Sequence, residues 1–84
     1  MENYDSLIVY STKRYGRIRV KLKEALDSRG ITRNKLRILT GVKFDVIDRY
    51  YKSDTVHMVD LDLFAKICCV LHCEIGDLLE YEEE

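Results

Sequence analysis

Proline and tryptophan are absent and glycine occurs only four times, so no stretch of the chain has the composition of a flexible linker. Cysteine is scarce too: three residues, an odd number, all lie between Cys68 and Cys73, which is no disulfide framework. No apolar run approaches the ~20 residues of a membrane span. Met1–Tyr15 lacks the order of charge, apolar run and small residues that marks a signal peptide. A cytoplasmic location is therefore expected, with no membrane partner. Catalytic material is also missing. There is no glycine-rich phosphate loop, no paired-histidine motif and no nucleophile beside an evident base, and 84 residues leave little room for a pocket. His57, near Asp54 and Asp60, reads as a loop residue. Neither enzymatic activity nor a cofactor nor a small-molecule ligand is expected.

What is present is one domain's worth of chain with 46% hydrophobic and 35% charged residues, the balance of a folded protein rather than a disordered one. The net charge of −1 conceals an asymmetry. Up to Met58 there are 13 Lys+Arg against 7 Asp+Glu, and from Val59 onward 1 against 8, so +6 faces −7. A basic segment of this kind suits a surface that meets phosphates. The closing EYEEE reads as a solubilising tail that exaggerates the contrast.

Hydrophobic spacing gives the elements. Leu7–Tyr10 is β-prone and reads as a short strand or arm that needs a partner within the fold or from a second copy. Ile18, Val20 and Leu22 alternate with Arg19 and Lys21 as a strand would, whereas Leu22, Ala25 and Leu26 follow a helical period. Helix is expected for most of Ile18–Arg29, closed by Gly30 in the left-handed conformation. Thr32 is a suitable N-cap for a helix over Arg33–Thr40, with Leu36 and Leu39 on one face. Gly41 ends it, Val42 enters the core, and a helix over Phe44–Tyr51 buries Val46, Ile47 and Tyr50. Ser53–Val59 reads as a loop. Asp60 or Asp62 caps a fourth helix reaching about His72, with Leu61, Phe64, Ala65, Ile67, Cys68 and Leu71 inward. A fifth, Glu74–Leu79, contributes Ile75, Leu78 and Leu79. The expected fold is an all-α bundle of about five helices.

Two constellations invite chemistry. In the first, Cys68 and His72 are one helical turn apart, as are Cys69 and Cys73, so metal ligands could converge. A complete site would need a fourth ligand from elsewhere, and Cys68 fits the buried stripe as a small hydrophobe, which is the favoured reading. The second is TRNKLRILTGVKFDVIDRYYK, Thr32–Lys52. It reads as two short amphipathic helices joined at Gly41, with the second pushed outward, the arrangement that enters a major groove.

Together with VDLDLFAKICCVLHCEIGDLLEY, this segment resembles the small Cro/C1-type (XRE-like) helix-turn-helix regulators of bacteria and phages, over about Arg19–Tyr81. The resemblance implies a lambda-repressor-like domain at 16–81, an N-terminal arm at 1–15 and an acidic tail at 82–84. It implies double-stranded DNA as partner and a homodimer, with the arm tyrosines Tyr4, Tyr10 and Tyr15 covering either the dimer interface or the chain's own domain. It places groove-facing positions at Lys43, Phe44, Asp45, Asp48 and Arg49, Lys52 near the backbone, Arg33 at a phosphate and Lys35 as a further cation. Tyr51 is placed to reach the backbone through its hydroxyl. Two departures stand out. Arg37 occupies a position that is usually alanine, where the two helices approach closely, so either its stem lies along the surface with its head in solvent or the two helices separate slightly. Asp45 and Asp48 put carboxylates on the face that should meet phosphates; they would either reject wrong sequences or mark a helix repurposed as a protein-interaction module, antitoxin-like or phage-encoded.

Overall fold

The computed structural model describes residues 15–84. The expected strand at Leu7–Tyr10, and Tyr4 with it, lie outside them. Strand β1 (Arg17–Val20) leads into α1 (Leu22–Arg29), α2 (Arg33–Thr40), α3 (Phe44–Lys52) and α4 (Leu61–Leu71). A single 3-10 turn (Ile75–Asp77) follows, and β2 (Leu79–Glu82) closes the sequence of elements by pairing antiparallel with β1. None of the described helices is long and apolar enough to cross a membrane.

Among the described residues there are thus four α-helices, not five, and the first of them begins at Leu22 rather than near Ile18. The two differences share one cause. The register sets Arg17 opposite Glu82, Ile18 opposite Tyr81, Arg19 opposite Glu80 and Val20 opposite Leu79. A ladder partner for the Ile18–Val20 alternation satisfies its backbone groups, and the strand period then prevails over the helical one. Its partner strand in turn ends the last helical segment after one turn. There the Asp77 carboxylate accepts a hydrogen bond from the Glu74 amide at 3.0 Å, and of the three expected apolar contributors only Leu78 is fully buried.

The helix ends follow local chemistry. Thr32 Oγ1 accepts from the Lys35 amide at 3.0 Å, and Asp60 Oδ1 accepts from the amides of Asp62 and Leu63. Asp60, of the two candidates, is therefore the cap of α4. Gly30 (φ 65°) and Gly41 (φ 72°) adopt the left-handed conformation that terminates α1 and α2. At the end of α4 the same conformation is taken by His72 (φ 54°), with the Cys73 amide donating to the Cys68 carbonyl.

Val20, Leu22, Leu26, Leu36, Ile47, Tyr50, Phe64, Ile67, Leu71 and Leu78 form the core, with Ala25 and Leu63. Tyr50 meets Phe64 edge to face at 5.2 Å between centroids, and its hydroxyl accepts from the Asp60 amide, tying the end of α3 to the start of α4. Leu39, Leu61 and Ala65, expected inward, are exposed instead. Leu36 alone serves as the buried anchor of the eight-residue α2, and Leu61 sits on the first turn of α4, beyond the core. Cys68 and Cys73 are half-buried against the core and Cys69 is exposed; among the described residues no group of three His, Cys, Asp or Glu is placed to hold a metal ion.

Candidate nucleic-acid interface

The segment between α2 and α3 is three residues long, and each has a defined role. Gly41 turns the chain, Val42 packs against the core while its amide donates to Thr40 Oγ1, and Lys43 starts α3 from an extended conformation. Within α3, Ile47 and Tyr50 are buried three residues apart, which fixes the rotation of the helix about its axis. The outward positions then follow from the 100° step. Lys43, Phe44, Asp45, Arg49 and Lys52 are exposed, and Asp48 is half-buried toward α2. Arg37 lies along the surface of its own helix, its Nε donating to Asn34 Oδ1 at 3.0 Å, so the close approach of the helices is kept clear of the guanidinium.

The structure brings Arg33, Asp48 and Lys52 together. Arg33 Nη1 donates to Asp48 Oδ1, and Lys52 Nζ reaches Asp48 Oδ2 at 3.1 Å, so both carboxylate oxygens are engaged. Partial burial works against ionisation of Asp48, but the hydrogen bonds from Lys52 and Arg33 outweigh it and hold the carboxyl below its usual range. Arg33 is further held by aromatic faces: its guanidinium lies 4.5 Å from the Tyr51 ring centroid and 5.7 Å from that of Phe44. Arg49 lies over the ring of Tyr50 at 4.7 Å.

Lys35, Lys43 and Arg49 are exposed and enter no ion pair among the described residues; nor does Asp45. Thr32–Lys52 as a whole carries six Lys or Arg against two Asp, a net +4. With Asp48 neutralised by two of those cations, Asp45 is the one carboxylate of this segment left without a cation among the described residues.

Tyr51 behaves differently from expectation. Its hydroxyl donates to Asp27 Oδ1 at 2.7 Å, and Lys23 Nζ bonds Asp27 Oδ2 at 2.8 Å while lying 5.2 Å from the Tyr51 ring. The hydroxyl is thus occupied by α1, and these bonds keep the Asp27 carboxyl below its usual range. Lys23 and Asp27 were not singled out in the sequence, although their i,i+4 spacing signals an ion pair. The Tyr51–Asp27 contact spans 24 residues and has no local signature.

Elsewhere the basic residues are consumed. Arg19, largely covered, pairs with Glu24, Glu80 and Glu82, and Arg17 pairs with Glu82. Two acids of the closing EYEEE therefore form cross-strand pairs rather than a purely solvating tail.

With this geometry in view, comparison with known proteins is informative. The model of the Cro/C1-type HTH DNA-binding domain matches residues 21–84. A solved structure described as the transcriptional regulator VanUg, Form II, superimposes with a TM-score of 0.61 at 30% identity, covering 81% of this chain and 91% of that one. No curated protein matches. Four helices around one core among the described residues, a turn at Gly41 that projects α3, and a family match over most of the chain agree: this protein belongs to the Cro/C1-type helix-turn-helix DNA-binding domain family.

Proposed function

We propose that the chain is a sequence-specific DNA-binding transcriptional regulator that acts as a homodimer, inserting the helix at 43–52 in the major groove. The observation that carries this reading is the exposed end of α3: Lys43, Phe44, Asp45 and Arg49 face outward from a helix pinned by Ile47 and Tyr50, and both cations are unpaired among the described residues. A helix with its side chains is ~10–12 Å across, which suits a major groove about 12 Å wide. Lys43 and Arg49 would meet bases or phosphates, Arg33, Lys35 and Lys52 the backbone, and Asp45 would accept from cytosine N4 or repel a wrong base pair. Homodimer formation is supported by the outer face of the sheet, where Ile18 and Tyr81 lie opposite each other and are both more than half exposed. Two copies would set their α3 helices about one turn (~34 Å) apart on a palindromic site.

Selection from random duplexes, followed by binding measured across salt concentrations and sedimentation of the free protein, tests the reading. A recovered palindrome, affinity that falls steeply with salt, and a dimer mass are expected. Recovery of no enriched, salt-sensitive sequence would sink it. A second reading has its own support: Ile38, Leu39 and Phe44 are exposed apolar side chains and Asp45 is an exposed carboxylate, chemistry suited to a protein partner. That reading is favoured if a captured partner is lost on substituting Asp45 and Asp48 while no duplex binds.

A further inference from the structure

Arg33, at the start of α2, and Lys52, the last residue of α3, are both bound to one carboxylate of α3. Asp48 offers its two oxygens to them in the way a phosphate would offer two of its own. The Asp48 side chain is 20% exposed and that of Arg33 35%, so their pair is shielded from salt more than a fully exposed contact would be, whereas Lys52 is 69% exposed. Arg33 is also fixed by stacking, its guanidinium over Tyr51 and near Phe44, and Tyr51 is itself bonded to Asp27. The cation is therefore held in one place, with its Nη1 donating to Asp48.

We propose that Asp48 is an internal competitor for the phosphate backbone: it occupies Arg33 and Lys52 in the free protein, and DNA gains these two cations only by displacing it. The inference rests on the DNA-binding reading and adds a specificity-determining residue to it. On an arbitrary duplex the Asp48 pairs persist and contact is limited to Lys35, Lys43 and Arg49. On the cognate sequence, the base contacts of α3 bring phosphates close enough to draw Arg33 and Lys52 across. Discrimination is thereby increased, because weak encounters never gain the full set of cations. Asp45, one turn earlier and unpaired among the described residues, carries the same charge without holding any cation, and so separates this role from simple repulsion.

The test compares the wild-type protein with Asp48→Asn and Asp45→Asn, using a labelled 20-base-pair duplex of random sequence and, separately, inorganic phosphate followed through the Arg33 side-chain N–H resonance. Asp48→Asn is expected to bind the random duplex about tenfold more tightly and to steepen the salt dependence by one to two phosphates, at about 0.9 in log–log slope for each. Asp45→Asn should give a smaller gain and leave the slope nearly unchanged. Phosphate should perturb the Arg33 resonance at lower concentration in Asp48→Asn than in the wild type or Asp45→Asn. Equal effects of the two substitutions, or weaker duplex binding by Asp48→Asn, would overturn the proposal. Asp48→Ser serves as a second neutral variant, and a thermal melt of each confirms the fold. A phosphate response specific to Asp48→Asn in a protein whose variants all ignore duplex DNA would leave the competitor intact and reject the DNA-binding reading.

Discussion

The two-stranded sheet and the helix-turn-helix are both rich in arginine and lysine, yet they use these residues in opposite ways. In the sheet, Arg17 and Arg19 sit across from Glu82 and Glu80, and Arg19 gathers Glu24 as well. Positive charge there is spent on joining the two ends of the described chain. In the helix-turn-helix, Lys35, Lys43 and Arg49 are left outward, and Asp48 has Arg33 and Lys52 in place. A count of charges along the sequence treats the two regions alike. Only pairing distinguishes cations that hold the fold together from cations open to a partner.

The most forceful way to break this contrast is charge reversal on α3. Lys43→Glu with Arg49→Glu should lower duplex affinity by at least ~30-fold, as loss of two contacts of about 1–3 kcal/mol each implies. The melting temperature should change little, since neither residue is buried, and a binding isotherm beside a thermal melt reads both. Retained affinity would mean that α3 is not the reading element.

The converse experiment attacks the sheet. A Cβ built on Gly16 would stand 1.7 Å from the Glu82 carbonyl oxygen, a backbone atom that cannot yield without shifting β2. Gly16→Ala should therefore destabilise the protein by about 1–3 kcal/mol, the range for forced overpacking. Denaturant unfolding measures the loss. Among molecules still folded, duplex affinity should be unaltered; a parallel loss of binding would show the two regions to be coupled.

Thr32→Ala removes the hydroxyl that accepts the Lys35 amide and should cost about 1 kcal/mol by the same assay. Its effect reaches the helix-turn-helix through stability alone, so binding by the folded fraction should persist.

Acid gives the smallest and most distributed effect. Hydrogen bonds from Arg19 hold Glu24 below its usual range, those from Lys23 and Tyr51 hold Asp27, and those from Lys52 and Arg33 hold Asp48 against its partial burial. For each, the unfolded chain binds protons more readily than the folded one as the pH falls. Their stabilisation is complete above the ordinary carboxylate pKa of about 4 and is lost as pH drops through the lower folded values. The melting temperature should be flat near neutrality and fall below about pH 4, less steeply in high salt, which already weakens the more exposed of these pairs. A melting temperature that rose on acidification would contradict the assignments.

How much was legible in advance depended on the range of the interaction. Gly30, Thr32 and Gly41 act on backbone groups within a few residues of themselves, and their roles follow from residue type and position; between Asp60 and Asp62, only the observed hydrogen bonds decided the cap of α4. The rotation of α3 was legible for the same reason, because Ile47 and Tyr50 are three residues apart. By contrast, β1 and β2 stood ambiguous or hidden: Ile18–Val20 reads as strand or helix until a partner some sixty residues on is known. The exposure of Leu39 and Leu61 depends on where the core ends, which no local period records. Asp48 is the instructive case at the site. Its place near the reading face was apparent, but its neutralisation by Arg33 of the preceding helix was not.

In the sequence by itself, the family was legible from the resemblance carried by Thr32–Lys52 and Val59–Tyr81; the order of the helices, the Thr32 cap and the turns at Gly30 and Gly41 were legible because each rests on short-range backbone chemistry and a 3.6-residue period. Tertiary structure alone decided that the oppositely charged strands at the two ends of the described residues close into a sheet, that Tyr51 is bonded to Asp27, and that Arg33 meets Asp48. Those outcomes require side chains far apart in the chain to meet at hydrogen-bond distance, and a linear pattern carries no information about such separations until the core has fixed them.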